Sequence, residues 1–305
     1  MDKGKDEKSY HEININWYPG HMAKTKRQII EDLKLIDIVV EILDARIPIS
    51  SRNPDIEQYI KSKKRLVILN KFDLADAAEN QKWVKFYEEQ GIEAVLVNSN
   101  SGEGIDNTIK KIEEINKDNQ EKFENKGRIG KAIRVMVLGI PNVGKSSFIN
   151  RVTKKNSATV GNKPGVTRQK QWIRINNNIE LLDTPGVLWP KFEKEDIALN
   201  LAYTGTIKDD ILPIIEIGYN LLKLLIKEYP EKIIERYKLG KEEIKNVLSS
   251  DAEENEKILE IMHMIGRKRG ALISGGNIDE EKVARIILEE FRSGKIGRIT
   301  LEKAK

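Results

Sequence analysis

Gly139-Ile-Pro-Asn-Val-Gly144-Lys145-Ser146 follows the apolar run Val135 to Leu138 and opens a helical pattern, which is the strand-loop-helix setting of a P-loop. Each residue type there has a chemical task. Glycines such as Gly144 let backbone N–H groups close around phosphate oxygens, with Asn142 and Val143 in the same loop and Ser147 just behind it. The Lys145 ammonium carries charge to the outer phosphates, and the Ser146 hydroxyl can ligate magnesium. A Gly/Pro turn before an ordinary helix is the competing reading, and the strand before it and the helix after it disfavour that. Asp183-Thr-Pro-Gly186 ends the apolar run Glu180 to Leu182 and supplies what the far side of such a site needs. A carboxylate there can hold a magnesium-bound water, and the Gly186 N–H can meet a terminal phosphate. As four residues this is a common turn; its place after two strands makes it specific.

Asn70-Lys71-Phe72-Asp73, after the strand Leu66 to Leu69, resembles the guanine-reading Asn-Lys-x-Asp motif of GTPases. The Asp73 carboxylate can accept two hydrogen bonds from guanine's N1–H and amine, whereas adenine has no N1–H and would leave that carboxylate unpaired. Asn98-Ser99-Asn100 falls where such GTPases carry a Ser-Ala pair against the base, so Asn100 departs from the pattern. Thr167, within a Gly/Lys/Asn/Pro loop, takes the place of the switch threonine that ligates magnesium. An ordinary GTPase runs P-loop, threonine, DxxG, NKxD, Ser-Ala. Here the base-reading motifs at 70 and 99 precede the P-loop, which is a circular permutation with new chain ends just after the DTPG turn.

The elements that must position these residues follow from periodicity. Apolar β-branched runs at Ile36 to Leu43, Leu66 to Leu69, Ala94 to Val97, Val135 to Leu138, Gln171 to Ile175 and Glu180 to Leu182 read as strands. They alternate with helical patterns, including Met22 to Leu35, Glu79 to Gln90 and Ile105 to Asn116. The expected fold is α/β: a P-loop domain with a doubly wound, mostly parallel sheet, circularly permuted, followed by an all-α C-terminal domain. The expected bounds are a flexible tail at 1–12, the permuted domain at 13–194 and the helical domain at 195–305. Residues 117–131, polar and without period, read as a linker into the P-loop strand.

Bulk properties exclude several classes. The chain holds no cysteine, so disulfides, iron–sulfur clusters and cysteine zinc sites are ruled out. Its charged start lacks the apolar core of a signal peptide, and no apolar run approaches a membrane span. A cytoplasmic, monomeric protein without membrane or DNA partners is expected. With 53 Lys+Arg against 48 Asp+Glu the lean toward polyanions is mild. Two basic, Gly-interrupted stretches, Gly266-Arg-Lys-Arg-Gly270 and Arg292 to Arg298, suit phosphate contacts; each by itself is more often a solvated helix end, and their pairing within one domain favours RNA contact.

The permuted order, with Trp17-Tyr-Pro-Gly-His21-Met-Ala-Lys24, Asp44-Ala-Arg-Ile-Pro48 and the P-loop itself, resembles the bacterial ribosome biogenesis GTPase A family over nearly the whole chain. The resemblance implies GTP hydrolysis to GDP coupled to late maturation of the large ribosomal subunit precursor, with a C-terminal helical domain on its rRNA. Val187 stands where many GTPases use glutamine to orient water, and valine cannot polarise water. His21, at the start of the helix that the permutation brings beside the switch, is the candidate catalytic group, a role the resemblance also implies; packing against Trp17 is its alternative. In related GTPases an asparagine at the place of Asn142 helps hold potassium, which makes K+ an expected second cation beside Mg2+. Two other readings compete: an RNA-binding assembly chaperone using GTP as a structural ligand, and an ATPase or nucleotide kinase, which Asp73 disfavours.

Overall fold

Strand β1 (Ile38–Asp44) is buried along its whole length, as a β-branched run in the middle of a parallel sheet must be. Its one interior charge, Glu41, pairs with Arg65 of β2 (Lys64–Asn70). Burial still outweighs Arg65 and pushes the Glu41 carboxyl above its usual range. The computed structural model describes residues 21–124, 131–155, 172–184, 186 and 194–304, and the statements below concern these. The expected tail at 1–12, Trp17, Thr167 and Val187 lie outside them.

Six strands form one sheet in the order β3-β2-β1-β4-β6-β5, with β3 at Glu93–Val97, β4 at Ile133–Gly139, β5 at Trp172–Arg174 and β6 at Ile179–Asp183. The pairings are parallel except β5 with β6. Beginning at the P-loop strand β4, the chain builds β4, β5 and β6 on one side, and the earlier β1, β2 and β3 fill the other. The cut therefore falls between β6 and β1, as the motif order requires. Helix α1 (His21–Asp32) leads into β1 through a 3-10 turn, Leu33–Leu35. Helices α2 (Pro54–Ile60), α3 (Ala77–Glu89), α4 (Ile105–Glu124) and α5 (Lys145–Lys155) connect the strands. Helix α4 corrects one expectation: residues 117–124 continue the helix instead of starting a linker. Lys, Gln and Glu propagate a helix without any apolar stripe, and no Gly or Pro interrupts it there.

The described residues of Trp17–Lys191 together with Arg298–Lys305 form one compact unit, and those of Phe192–Gly297 form another. The second is all helical: α6 (Glu195–Tyr203), α7 (Ile214–Glu228), α8 (Pro230–Tyr237), α9 (Lys241–Ser249), α10 (Glu254–Arg269) and α11 (Glu280–Arg292). Helix α7 is its core, with Ile217, Leu221, Leu222 and Leu225 fully buried. Gly218 lets α11 approach, because a Cβ there would stand 2.5 Å from that of Ala284. The expected helical domain of 195–305 is thus shortened at its end: Arg298 onward joins the sheet unit. Ile299 and Thr300 are buried in it, and Ala304 packs on the Trp83–Tyr87 cluster. No helix among the described residues is long and apolar enough to cross a membrane.

Candidate nucleotide site

Strand β4 delivers the chain to the P-loop, and α5 begins at Lys145, so the first free N–H groups of that helix face the same space as the loop. A cavity of about 640 Å³ lies there, lined by Asn142, Gly144, Lys145, Ser146 and Ser147 from the loop and by Asp183, Thr184 and Gly186 from the end of β6. Val143 instead turns into the core, where its side chain is buried. Lys145 Nζ and Asp183 Oδ1 are 2.6 Å apart. The two charges that phosphate and metal chemistry call for therefore share one pocket. Thr184 anchors the turn by donating its hydroxyl to the Val137 carbonyl at 2.6 Å. Gly186 is glycine because a Cβ would stand 2.9 Å from Pro141 N, against the backbone of the P-loop.

The base-reading motif meets the P-loop through Asn70. Its Nδ2 donates to the Val143 carbonyl at 2.8 Å, and its Oδ1 accepts from Ser99 N at 3.1 Å and Ser99 Oγ at 2.8 Å. One buried side chain thus ties together the ends of β2, β3 and β4. Gly144 is the counterpart: its φ is +99°, and a Cβ would stand 2.2 Å from Asn70 Nδ2. Lys71 bridges the same loops, donating from Nζ to the Asn142 carbonyl at 2.9 Å and to Asp44 Oδ2 at 3.0 Å. Lys71 and Asn142 both adopt φ of 60°, a left-handed conformation that non-glycine residues hold only where surrounding contacts enforce it. Asp73 is exposed and is not among the residues that line the cavity. In the Asn98 loop, Asn98 Oδ1 accepts from Asn100 N at 2.9 Å and Ser101 N at 3.0 Å. The N–H groups of Asn100 and Ser101 are thus both held by the Asn98 side chain.

Asp44 and Arg46 entered the sequence reading only as part of a motif, yet they brace the site. Arg46 Nε and Nη2 reach the two Asp44 oxygens at 2.9 and 2.7 Å, and both side chains are buried. Burial alone would raise the Asp44 carboxyl; the Arg46 guanidinium and the Lys71 ammonium hold it well below its usual range instead. Opposite charges two residues apart at the carboxyl end of a parallel strand, where ligands bind in such sheets, were the available signal. His21 opens α1, with its side chain outside the description.

The basic stretches divide. Arg269 lies 3.1 Å from Glu290 and over the Tyr237 ring at 5.1 Å. Arg292 holds Asp209 at 2.8 Å and donates to the Tyr203 and Ala202 carbonyls. Arg298 belongs to the sheet unit. Arg267, Lys268 and Lys295 are exposed. Arg298 is exposed as well, with two of its donors on the Ala75 and Phe72 carbonyls; of the two stretches, Arg269 and Arg292 are committed within the helical unit, because arginine's planar fork also suits internal carbonyls and carboxylates.

A family model described as 50S ribosome-binding GTPase matches residues 134–263. Ribosome biogenesis GTPase A of Bacillus cereus is 45% identical over 288 residues, 94% of this chain and 93% of that one. The chain belongs to the ribosome biogenesis GTPase A family. It is also 35% identical over 307 residues to mitochondrial ribosome-associated GTPase 1 of Mus musculus, across 94% of this chain and 90% of that one. The GNP-bound crystal structure of YlqF from T. maritima aligns with a TM-score of 0.64 at 26% identity, covering 92% of this chain and 99% of that chain. As a member of the ribosome biogenesis GTPase A family the chain is a GTPase, which implies GTP and GDP as its nucleotides, and its fold is the circularly permuted one.

Proposed function

We propose that this GTPase acts on the large ribosomal subunit precursor, contacts its rRNA through the helical unit, and hydrolyses GTP with the residues of the cavity in the following roles. The observation that carries the reading is Asn70, whose hydrogen bonds tie the base-reading loop and the Ser99 loop to the P-loop that lines the cavity. The description of the family model as ribosome-binding supports the partner. Asp73 accepts from guanine's N1–H and amine, which sets the choice of base. Lys145 exchanges Asp183 for the β- and γ-phosphates, which frees the carboxylate for the outer sphere of the metal. Ser146 and Asp183 are hard oxygen donors lining one cavity and so fit magnesium, with Thr167 as the further ligand. When bound, that ion neutralises charge on the phosphates. Gly186 N–H meets the γ-phosphate. His21 is the group that acts on the attacking water, a role that Val187 cannot fill. Asn142 helps hold potassium, which adds positive charge beside the P-loop. Arg267, Lys268 and Lys295 are the phosphate contacts to rRNA.

Sedimentation with ribosomal subunits under GDP and under a nonhydrolysable GTP analogue tests the partner: co-migration with the large subunit precursor is expected, and co-migration with the small subunit alone refutes it. Turnover measured with and without precursor tests the coupling. His21→Ala, with GTP binding intact, should lose the stimulated turnover; an unchanged rate removes His21 from the mechanism. Equal turnover in sodium and potassium would remove the second cation.

A further inference from the structure

The segment from Arg298 to Glu302 leaves the helical unit and joins the sheet unit, where Ile299 and Thr300 are buried and hydrogen bonds reach two loops. On one side it holds the loop from Lys71 to Asp76. Arg298 Nε donates to the Ala75 carbonyl at 2.9 Å, and its Nη2 to the Phe72 carbonyl at 3.0 Å. Ile299 N donates to the Leu74 carbonyl at 2.9 Å, and Asp76 N donates to Thr300 Oγ1 at 2.9 Å. On the other side it holds the loop after β1. Leu301 N donates to the Arg46 carbonyl at 2.9 Å, and the Glu302 carboxylate accepts from Ile49 N at 2.6 Å and Ser50 N at 3.0 Å. Trp83 Nε1 closes the strap by donating to the Glu302 carbonyl at 2.9 Å.

These anchor points bracket Asp73. The loop leaves β2 through Lys71, whose φ of 60° has to be enforced from outside. Downstream, the carbonyls of Phe72, Leu74 and Ala75 all accept from the strap, that of Phe72 also from Asn80 Nδ2 at 2.9 Å. The loop after β1 carries Asp44 and Arg46, which orient Lys71. Both ends of the strap therefore bear on the base-reading loop. None of the strap's own bonds reaches Lys145, Ser146 or Asp183; its link to the P-loop runs through Lys71, which donates to the Asn142 carbonyl.

We propose that the strap Arg298–Glu302 is a positioning element of the guanine site, with Arg298 as the positioning residue that fixes the backbone on either side of Asp73. The proposal rests on the reading of Asp73 as the base-reading carboxylate. Its consequence is graded: loosening the strap frees the base first, and it reaches the phosphates less directly, through Lys71, so base preference falls further than phosphate affinity. Base discrimination needs a carboxylate held within hydrogen-bond geometry, whereas the phosphate contacts come from a different loop and helix.

The test uses the full chain, with fluorescent GDP and ADP as probes, in Arg298→Ala, Arg298→Lys, Thr300→Val and Asp73→Ala. Arg298→Ala should release GDP about tenfold faster, the factor expected for a hydrogen bond from a charged donor, and lose a similar factor in its preference for GDP over ADP. ADP affinity should fall by much less, Arg298→Lys should recover part of the loss, and kcat at saturating GTP should hold while KM rises. Thr300→Val removes one anchor without removing volume and should give the same pattern at smaller size, so it carries the test if Arg298→Ala does not fold. If Asp73→Ala leaves the GDP-to-ADP preference intact, the reading of Asp73 falls. If Asp73→Ala abolishes that preference while Arg298→Ala and Thr300→Val lower thermal stability alone, with the preference unchanged, the strap proposal falls and the reading of Asp73 stands.

Discussion

Asp44 in the sheet unit and Glu290 in the helical unit are the same device in two settings: a carboxylate between two cationic side chains. Asp44 takes Arg46 at 2.7 Å and Lys71 at 3.0 Å. Glu290 takes Arg236 at 2.7 Å and Arg269 at 3.1 Å. In both, burial pushes the carboxyl upward and is overcome by the cations, Arg46 and Lys71 for one, Arg236 and Arg269 for the other, so both stay below their usual range. What differs is where the cations lead. Lys71 goes on to the Asn142 carbonyl in the P-loop, so the Asp44 network ends at the nucleotide cavity. Arg269 goes on to the face of Tyr237, so the Glu290 network ends in helix packing. A buried ion pair thus speaks for function only when one member also touches a site.

The largest expected effect breaks the first network. Asp44→Asn leaves Arg46 buried without its counter-charge and releases Lys71, and breaking such a pair costs about 3–5 kcal/mol. Because Lys71 also braces the P-loop, GTP affinity should fall at least tenfold in the same variant. Denaturant unfolding and nucleotide titration would check the two effects; a loss of stability with affinity intact would reduce Asp44 to a packing residue.

Glu290→Gln is the matched change in the helical unit. Its side chain is 12% exposed against 3% for Asp44, so solvent screens part of the loss, and about 2 kcal/mol is expected. GTP binding should be unaltered. A weakened affinity for GTP would mean that the two networks are coupled and that the contrast drawn between them is wrong.

Acid sharpens the comparison further. A carboxyl whose folded pKa is depressed adds stability that is complete above its unfolded value, near 4, and is lost as pH falls through the folded value. Both networks should therefore contribute a constant amount from neutral pH down to about 5, and their contribution should drain away below 4. In unfolding curves recorded between pH 3 and 7, Asp44→Asn should show a shallower acid limb than the unsubstituted chain. Parallel limbs would mean that Asp44 carries no depressed pKa.

How much of this was legible follows from which groups do the work. The P-loop, Asn70 to Asp73 and Asp183 to Gly186 were readable because each needs fixed side-chain types at fixed spacing beside a strand. Six strands and their alternation followed from apolar period alone. Asp44 and Arg46 left a faint signal in their spacing, but the part of Lys71 was not readable, since it meets Asp44 only when β1 and β2 align in register, Asp44 opposite Asn70. Residues 117–124 were missed because a helix of Lys, Glu and Gln shows no apolar stripe. The strap was missed for another reason: Ile299 and Leu301 act through backbone N–H groups, which leave no mark on a sequence. Arg298 looked like one more member of a cationic run.

That last confusion yields the smallest effect and the most direct test of the comparison. If cations matter by destination, the basic run at the end of α10 must split. Arg267 and Lys268 are exposed, while Arg269 is held by Glu290 and Tyr237. A side chain that contacts a phosphate releases counterions, so each one removed should lower the salt slope of ribosome or rRNA binding by about one. Reversing Arg267 and Lys268 to glutamate should flatten that slope by about two and leave thermal stability unchanged. Arg269→Met should do the opposite, lowering stability while keeping the slope, because its charge is already committed within the helices. Equal slopes in all three proteins would move the rRNA contact off α10, and a loss of slope with Arg269→Met would show that an internally paired arginine still reaches the partner.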